Sequence, residues 1–300
     1  MMSDDSDGAS LSRAQSYALV VAAAILLSAV LAPVAYDRAT APDGRVAVIS
    51  VEGFISSSSV TAVQEDLREA RENESIDAVV LNVDSPGGSA AASEQLYLAV
   101  QRTAQVMPVV ASVKSTGASG AYYAMLPARD IYVTPASIVG SVGVRGAAPG
   151  PSLPGEIKSG PDKASTTADQ RRAQIETLQR AFVGSVMKHR GDELGLSRTE
   201  VAHAKVYTGA SAVDNGMADQ IGSTPEAIDA AAEAADLEDY EVVRKEPPRA
   251  GGLILLSTDD GGTVVVEKSP AGYDAVDTPT FLMVYGEVQT TDEVIGNVSA

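Results

Sequence analysis

The stretch Val109-Val110-Ala111-Ser112-Val113-Lys114-Ser115-Thr116-Gly117-Ala118-Ser119-Gly120-Ala121-Tyr122-Tyr123 decides how the chain is read. Its first five residues form a short apolar run, rich in β-branched side chains and expected as a buried strand. From Ala118 to Leu126 small residues predominate and predict a helix. Ser119 therefore stands where a strand ends and a helix begins. A hydroxyl at such a junction can point out of the sheet edge, where the first free N–H groups of the helix are open to an anion. That placement suits a serine nucleophile. It equally suits an ordinary N-cap serine that satisfies one helix donor, so the stretch alone leaves both roles open.

The same strand–helix alternation extends in both directions. Val46 to Val51 is expected as a strand. Val60, Val63, Leu67 and Ala70 recur at helical spacing, with an end near Asn73. Ile76 to Val83 is the next strand, and Asp84-Ser85-Pro86-Gly87-Gly88-Ser89 is expected as a turn. A helix from about Ala92 to Ala104 follows, with Leu96, Val100 and Thr103 on one face; beyond Ser119, Ile131 to Thr134 is another strand. This order predicts an α/β fold with a parallel, right-handed sheet.

Farther on, Arg145 to Pro154 is a Gly/Pro/Ala loop without periodicity. Thr167-x-x-Gln170 is a capping box before a long helix carrying Ile175, Leu178, Phe182 and Val186 on one face. Ser197-x-x-Glu200 caps a further helix, and Thr224-Pro225 opens one reaching about Ala235. Beyond Gly251 the pattern changes. Leu253 to Ser257 and Thr263 to Lys268 flank Asp259-Asp260-Gly261-Gly262 as a β-hairpin, and Phe281 to Tyr285 is a third strand. No function is read from this tail, and there is no internal repeat.

The polar N-terminus, residues 1–16, is expected to be disordered. Residues 17–36, from Tyr17 to Tyr36, carry no charge. At about 1.5 Å per residue they span roughly 30 Å, the thickness of a bilayer's hydrocarbon core, and are expected as an uncleaved single-pass anchor. A cleaved signal peptide, the alternative, has a shorter apolar core and a more basic start. Residues 45–249 then make the main domain and 250–300 a small β-rich extension.

Composition narrows the chemistry. Without cysteine, neither a disulfide framework nor a thiolate zinc site is available. Only His189 and His203 are present, which excludes a multi-histidine metal site. With 40 acidic and 22 basic residues the net charge is −18, a surface that repels phosphates and argues against nucleic-acid binding. The acidic, lysine-poor composition fits a protein that stays soluble in high salt, which points to a halophilic source.

A serine nucleophile needs a base. His189 lies on a charged helix end and is read as solvated; His203 shows no partner. A lysine serves instead where burial keeps it neutral. Lys158-Ser159-Gly160-Pro161-Asp162-Lys163 supplies two. Ser85-Pro86-Gly87-Gly88 can turn N–H groups toward a common point, which in acyl transfer is an oxyanion hole; a plain β–α turn needs the same residues.

Together these pieces resemble the signal peptide peptidase A family, membrane-anchored Ser–Lys proteases with a Clp/crotonase-like fold. The resemblance covers roughly Arg45 to Arg249, with five pieces in order: Ser85-Pro86-Gly87-Gly88, Ala118-Ser119-Gly120-Ala121-Tyr122-Tyr123, Gly140-Ser141-Val142-Gly143-Val144, Lys158-Ser159-Gly160-x-x-Lys163, and Tyr207-Thr208-Gly209 leading to Gly216-Met217-Ala218-Asp219-Gln220-Ile221-Gly222. It implies Ser119 as nucleophile, Lys163 as base, Ser141 holding the lysine amine, and the N–H groups of Gly88 and Gly120 as the oxyanion hole, with Lys158 structural. It also implies a ring-shaped homo-oligomer with a site shared between subunits, a membrane location with an extracytoplasmic catalytic domain, no cofactor or metal, and apolar peptides such as remnant signal peptides as substrates. The chain departs from the family pattern at Asp84, where Asn is usual and which brings a carboxylate near the hole. It departs again at Gly120-Ala121 in place of Gly-Gly, and in the short segment between Gly143 and Lys158. Competing readings are a membrane scaffold with a dead site, a protease of the stomatin-cleaving type, an α/β-hydrolase esterase and an acyl-CoA enzyme of the crotonase type.

Overall fold

The computed structural model describes residues 42–146, 159 and 167–245 in full, helical positions 17, 21, 22, 25, 27–30 and 32, and the backbone of three strands beyond 252. Residues 1–43 form one unit and Gly44–Ala300 the other.

The second unit begins with β1 (Gly44–Ile55), α1 (Ser57–Glu72), β2 (Ala78–Ser89), α2 (Ala90–Ala104), β3 (Val109–Ala118), α3 (Gly120–Met125), β4 (Asp130–Val133) and β5 (Ile138–Gly140). It continues through α4 (Ala168–Arg190), α5 (Arg198–Ala202), β6 (Val206–Thr208), α6 (Gly209–Asp214), β7 (Gln220–Ile221), α7 (Thr224–Ala234) and β8 (Tyr240–Lys245). The described strands of the tail are β9 (Leu253–Ser257), β10 (Thr263–Glu267) and β11 (Leu282–Val284). β9 and β10 form the expected antiparallel hairpin.

The main sheet runs β6-β5-β3-β2-β1-β8, with β4 beside β3 and β7, and β11 beside β2. β1, β2 and β3 are parallel, with Val46 opposite Ala78 and Val79 opposite Val109. These central strands are buried on both faces, so they read as continuous apolar runs. Period-two alternation splits them between two cores. Val46, Val48, Ala78, Val80 and Val110 pack under Ala227, Ile228, Ala231 and Ala232 of α7. Ala47, Ile49, Val79 and Leu81 pack under α1 and α2 through Val60, Val63, Leu67, Leu96 and Val100. Each fully buried Val, Leu or Ile here contributes about 1.5–3 kcal/mol relative to exposure. The small side chains of α7 let it lie close on the sheet.

The two expected capping boxes hold, and Thr224-Pro225 opens α7 as expected. The Thr167 hydroxyl accepts from the Gln170 N–H at 3.2 Å while Gln170 Oε1 accepts from the Thr167 N–H at 2.9 Å. Ser197 with Glu200 makes the same reciprocal pair at the start of α5, and at the start of α7 the Glu226 carboxylate accepts from the Ser223 N–H at 2.8 Å.

One expected turn is instead strand. β2 runs on through Asp84-Ser85-Pro86-Gly87-Gly88 to Ser89, with Ile55 of β1 opposite Gly88. The proline breaks nothing because the ladder shifts register on both sides, between Glu52 and Phe54 in β1 and after Val83 on the β3 side. Gly53 at φ 66° and Gly87 at φ 99° supply the left-handed backbone such shifts need.

Among the described residues no helix is long and apolar enough to cross a membrane. Much of the expected anchor, 17–36, lies outside the described residues, as do residues 1–16 and most of the Arg145–Pro154 loop. The described apolar positions of that anchor, Tyr17, Val21, Ile25, Leu27 and Val30, are helical and exposed.

Candidate active site

Ser119 caps α3 with φ 53° and ψ −119°. A serine rarely takes this left-handed backbone, and such positions cost about 1–3 kcal/mol. Two backbone bonds hold it there: its N–H donates to the Gly140 carbonyl at 2.7 Å, and its carbonyl accepts from the Tyr123 N–H at 2.9 Å. The residue is 1% exposed, and its hydroxyl has no hydrogen-bond partner among the described residues. A capping serine would spend that hydroxyl on a helix N–H. This one does not, so the ordinary N-cap reading fails.

Neighbouring strands fix what lies around it. Gly117 pairs with Ser85 of β2 and with Val139 of β5. Two residues farther along these strands, Ser119, Gly87 and Ser141 therefore end at one sheet edge. Ser85 is fully buried. Its hydroxyl donates to the Gly53 carbonyl at 2.6 Å and accepts from the Gly87 N–H at 3.1 Å, locking the glycine-rich segment to β1. A Cβ on Gly88 would sit 2.1 Å from the Ile55 carbonyl oxygen, so only glycine fits. The Asp84 carboxylate, expected near the hole, accepts from the Thr116 N–H at 3.2 Å and is tied to β3.

Ser141 also has a left-handed backbone, at φ 55°, and its N–H donates to the Lys205 carbonyl at 2.8 Å. It follows the very residue whose carbonyl holds Ser119. Gly120 is buried at the first position of α3. The structure thus brings Ser119, Gly120, Gly88 and Ser141 to the carboxyl ends of β3, β2 and β5. Lys158 and Lys163 lie outside the described residues.

Helix α3 is anchored through its two tyrosines. The buried Tyr122 hydroxyl donates to the Met217 carbonyl at 2.8 Å, and burial pushes its pKa up. Arg190, buried, donates to the Gly216 carbonyl and to both carboxylate oxygens of Asp219, which also accepts from the Ile131 N–H at 2.6 Å. Gly216 has φ 79°, and a Cβ there would meet the Glu193 carbonyl oxygen at 2.1 Å. The Gly216-Met217-Ala218-Asp219 motif is therefore a clasp between α4, β4 and α3.

Tyr123 donates to Glu94 at 2.9 Å and stacks on Tyr97, with ring centroids 4.7 Å apart. Tyr97 is hydrogen bonded to His189 Nε2 at 2.8 Å. His189 is thus paired and half-buried rather than solvated, and desolvation, aided by Lys188 and Arg190, holds its pKa below the usual histidine value. Sequence reasoning missed this cluster, because Glu94, Tyr97, Tyr123 and His189 come from three separate helices. Among the described residues neither histidine bonds Ser119, which removes the geometric basis of the esterase reading.

A parallel α/β sheet with a buried, backbone-strained serine at a strand's carboxyl end, beside a glycine-rich strand end, is the layout of a serine-type peptidase. The chain belongs to peptidase family S49, whose model matches residues 101–150 and 160–238, segments that include Ser119, Ser141 and Lys163. It is 31% identical over 212 residues to a Methanocaldococcus jannaschii protein named as a protease, covering 64% of this chain and 67% of that one. It is 30% identical over 227 residues to Protease 4 of Salmonella typhi, covering 66% of this chain but only 36% of the relative. The chain thus spans about a third of the length of that relative. In fold it is similar to a variant of the membrane-bound stomatin-specific protease 1510-N solved with a substrate peptide, with a TM-score of 0.50 at 18% identity over 69% of this chain and 94% of that one.

Proposed function

We propose that this chain is a membrane-anchored serine endopeptidase with a Ser–Lys dyad and a Clp/crotonase-like arrangement, acting on apolar peptides at the membrane such as remnant signal peptides. The observation that carries the reading is the buried hydroxyl of Ser119, which has no hydrogen-bond partner among the described residues and sits on a left-handed backbone. Leaving a buried hydroxyl unpaired costs about 1–3 kcal/mol, and the backbone costs a similar amount. A fold keeps both where chemistry needs them.

In this mechanism Ser119 Oγ attacks the peptide carbonyl and its proton passes to the neutral Lys163 amine. The N–H groups of Gly88 and Gly120 hold the oxyanion, where preorganised donors act most strongly. The intermediate collapses, the C–N bond breaks, and Lys163 returns the proton to the leaving amine. Water, deprotonated by Lys163, then releases the acyl group, and the hydroxyl is restored. Ser141 orients the lysine amine. The exposed apolar helical positions Tyr17, Val21, Ile25, Leu27 and Val30 support membrane anchoring, and an anchor raises the local concentration of membrane-bound substrate. The extracytoplasmic placement is the one the family resemblance implies.

Fluorophosphonate labelling with intact-mass detection tests the reading, together with hydrolysis of a hydrophobic peptide library. One adduct at Ser119 is expected in the native chain and none in Ser119→Ala. Lys163→Arg should be inactive because its guanidinium stays protonated. Near-native turnover by Ser119→Ala would end the nucleophile assignment. A native chain that neither labels nor cleaves would make it a scaffold.

A further inference from the structure

At its carboxyl end β2 has an edge that β3 leaves unpaired. β3 follows β2 only as far as the pair Ser85–Gly117, then veers into Ser119 and α3. The edge left open, Gly87 to Ser89, is where an extended peptide adds itself as a strand, taking its affinity from main-chain hydrogen bonds. That edge is occupied. The tail strand β11 pairs antiparallel to it, with Leu282 opposite Ser89, Met283 opposite Gly88 and Val284 opposite Gly87. β11 also lies beside α2 and α3.

We infer that Leu282–Val284 is an intramolecular competitor, a strand of the chain's own tail seated where the substrate backbone must lie, so that substrate binds only when it leaves. The inference rests on the proposed peptidase reading, since it needs Gly88 to face the substrate. The sequence around the strand, Phe281-Leu282-Met283-Val284-Tyr285, is uncharged and apolar, the same chemistry as the proposed substrates. Three paired residues bind weakly by themselves. A tether converts that weak contact into an effective concentration on the order of millimolar, enough to hold the edge in the resting state and low enough for a good substrate to win. Such inhibition is competitive: it raises KM and leaves kcat alone.

The test uses the full chain. Met283→Pro removes an N–H and places a ring where a paired strand has none, whereas Met283→Ala keeps the backbone pairing. Met283→Pro should label with fluorophosphonate several-fold faster than native and show a several-fold lower KM for a short apolar peptide at unchanged kcat. Met283→Ala should match the native chain. Hydrogen exchange reads the seating itself: the Gly88 amide should be protected in the native chain and exposed in Met283→Pro, whereas the Gly87 amide, bonded to the Ser85 hydroxyl, should be protected in both. A synthetic peptide of residues 280–287 should inhibit Met283→Pro competitively. Equal labelling rates and equal KM for native and Met283→Pro would overturn the inference, as would an unprotected Gly88 amide in the native chain. Failure of the peptidase reading looks different: no labelling of any form, whatever the exchange pattern.

Discussion

The N–H of Ser119 donates to the carbonyl of Gly140 at 2.7 Å, so the backbone of the serine is set by a residue of β5 as well as by its own helix. The bond couples Ser119 to the turn that carries Ser141. Gly140 holds φ 103°, and a Cβ there would come within 2.8 Å of the Lys205 carbonyl oxygen. Gly140→Ala should therefore lower stability by about 1–3 kcal/mol and slow phosphonate labelling of Ser119. Urea unfolding and labelling kinetics check both. An unchanged midpoint with native labelling would show that this turn does not position the serine.

Ser119 itself predicts a trade of stability against activity. Glycine at this position relieves the left-handed strain and removes a buried hydroxyl that has no partner among the described residues, offset by its own chain entropy. Ser119→Gly should be more stable than native by about 1 kcal/mol, and Ser119→Ala by less, because alanine keeps the strain. Both should be inactive. Urea midpoints rank the three forms, and a Ser119→Gly less stable than native would remove the strain argument.

The sequence revealed the alternating core and the capped helices because local rules govern both: Val46 to Val51 is apolar at every position save Ser50, and Thr167 with Gln170 makes a cap from residues three apart. Ser119 was legible as a strand–helix junction, and the structure removes the capping alternative because its hydroxyl makes no bond to a helix N–H. What was not legible depends on long-range pairing. The Ser-Pro-Gly-Gly segment looks like a turn until Ser85 is seen bonded to Gly53 across the ladder. Phe281 to Tyr285 looks like part of a separate tail, and nothing local says that Leu282 faces Ser89.

His189 makes stability depend on pH. Its pKa is held below the unfolded value of 6.5, chiefly by desolvation. The unfolded chain therefore binds the proton first, and stability is present above pH 6.5 and falls as pH drops toward the depressed folded value. Shifted carboxylates such as Asp66 and Asp130 act in the same experiment, so the quantity to compare is the difference between native and His189→Gln. That difference in urea midpoint should be nearly constant above neutrality and should shift in favour of His189→Gln on acidification to pH 5. A difference independent of pH would show that the Tyr97–His189 pair is not selective for neutral histidine.

Net charge makes a separate prediction about salt. At −18, like charges repel one another across the surface. The Debye length shrinks from about 10 Å at 0.1 M salt to about 3 Å at 1 M. The melting temperature should rise steadily with potassium chloride over this range. A flat or falling profile would withdraw the proposed halophilic source and leave the site assignments as they stand.

The proposed dyad makes the final prediction, because Ser119 and Lys163 need not come from one chain. Ser119 is fixed on the sheet by Gly140 and Tyr123, while Lys163 precedes α4, which begins at Ala168. If the site is shared around a ring, Ser119→Ala supplies an intact lysine and Lys163→Ala an intact serine. Each is inactive alone. In a randomly mixed assembly every site pairs one serine with its neighbour's lysine, so roughly a quarter of the sites regain both groups, by the head-to-tail geometry of a closed ring. Dissociating and reassembling an equal mixture should restore activity to about that fraction, while each variant treated alone stays silent. Crosslinking of differently tagged chains verifies the mixing. Verified mixing without recovered activity would place Ser119 and Lys163 in the same subunit and refute the shared site.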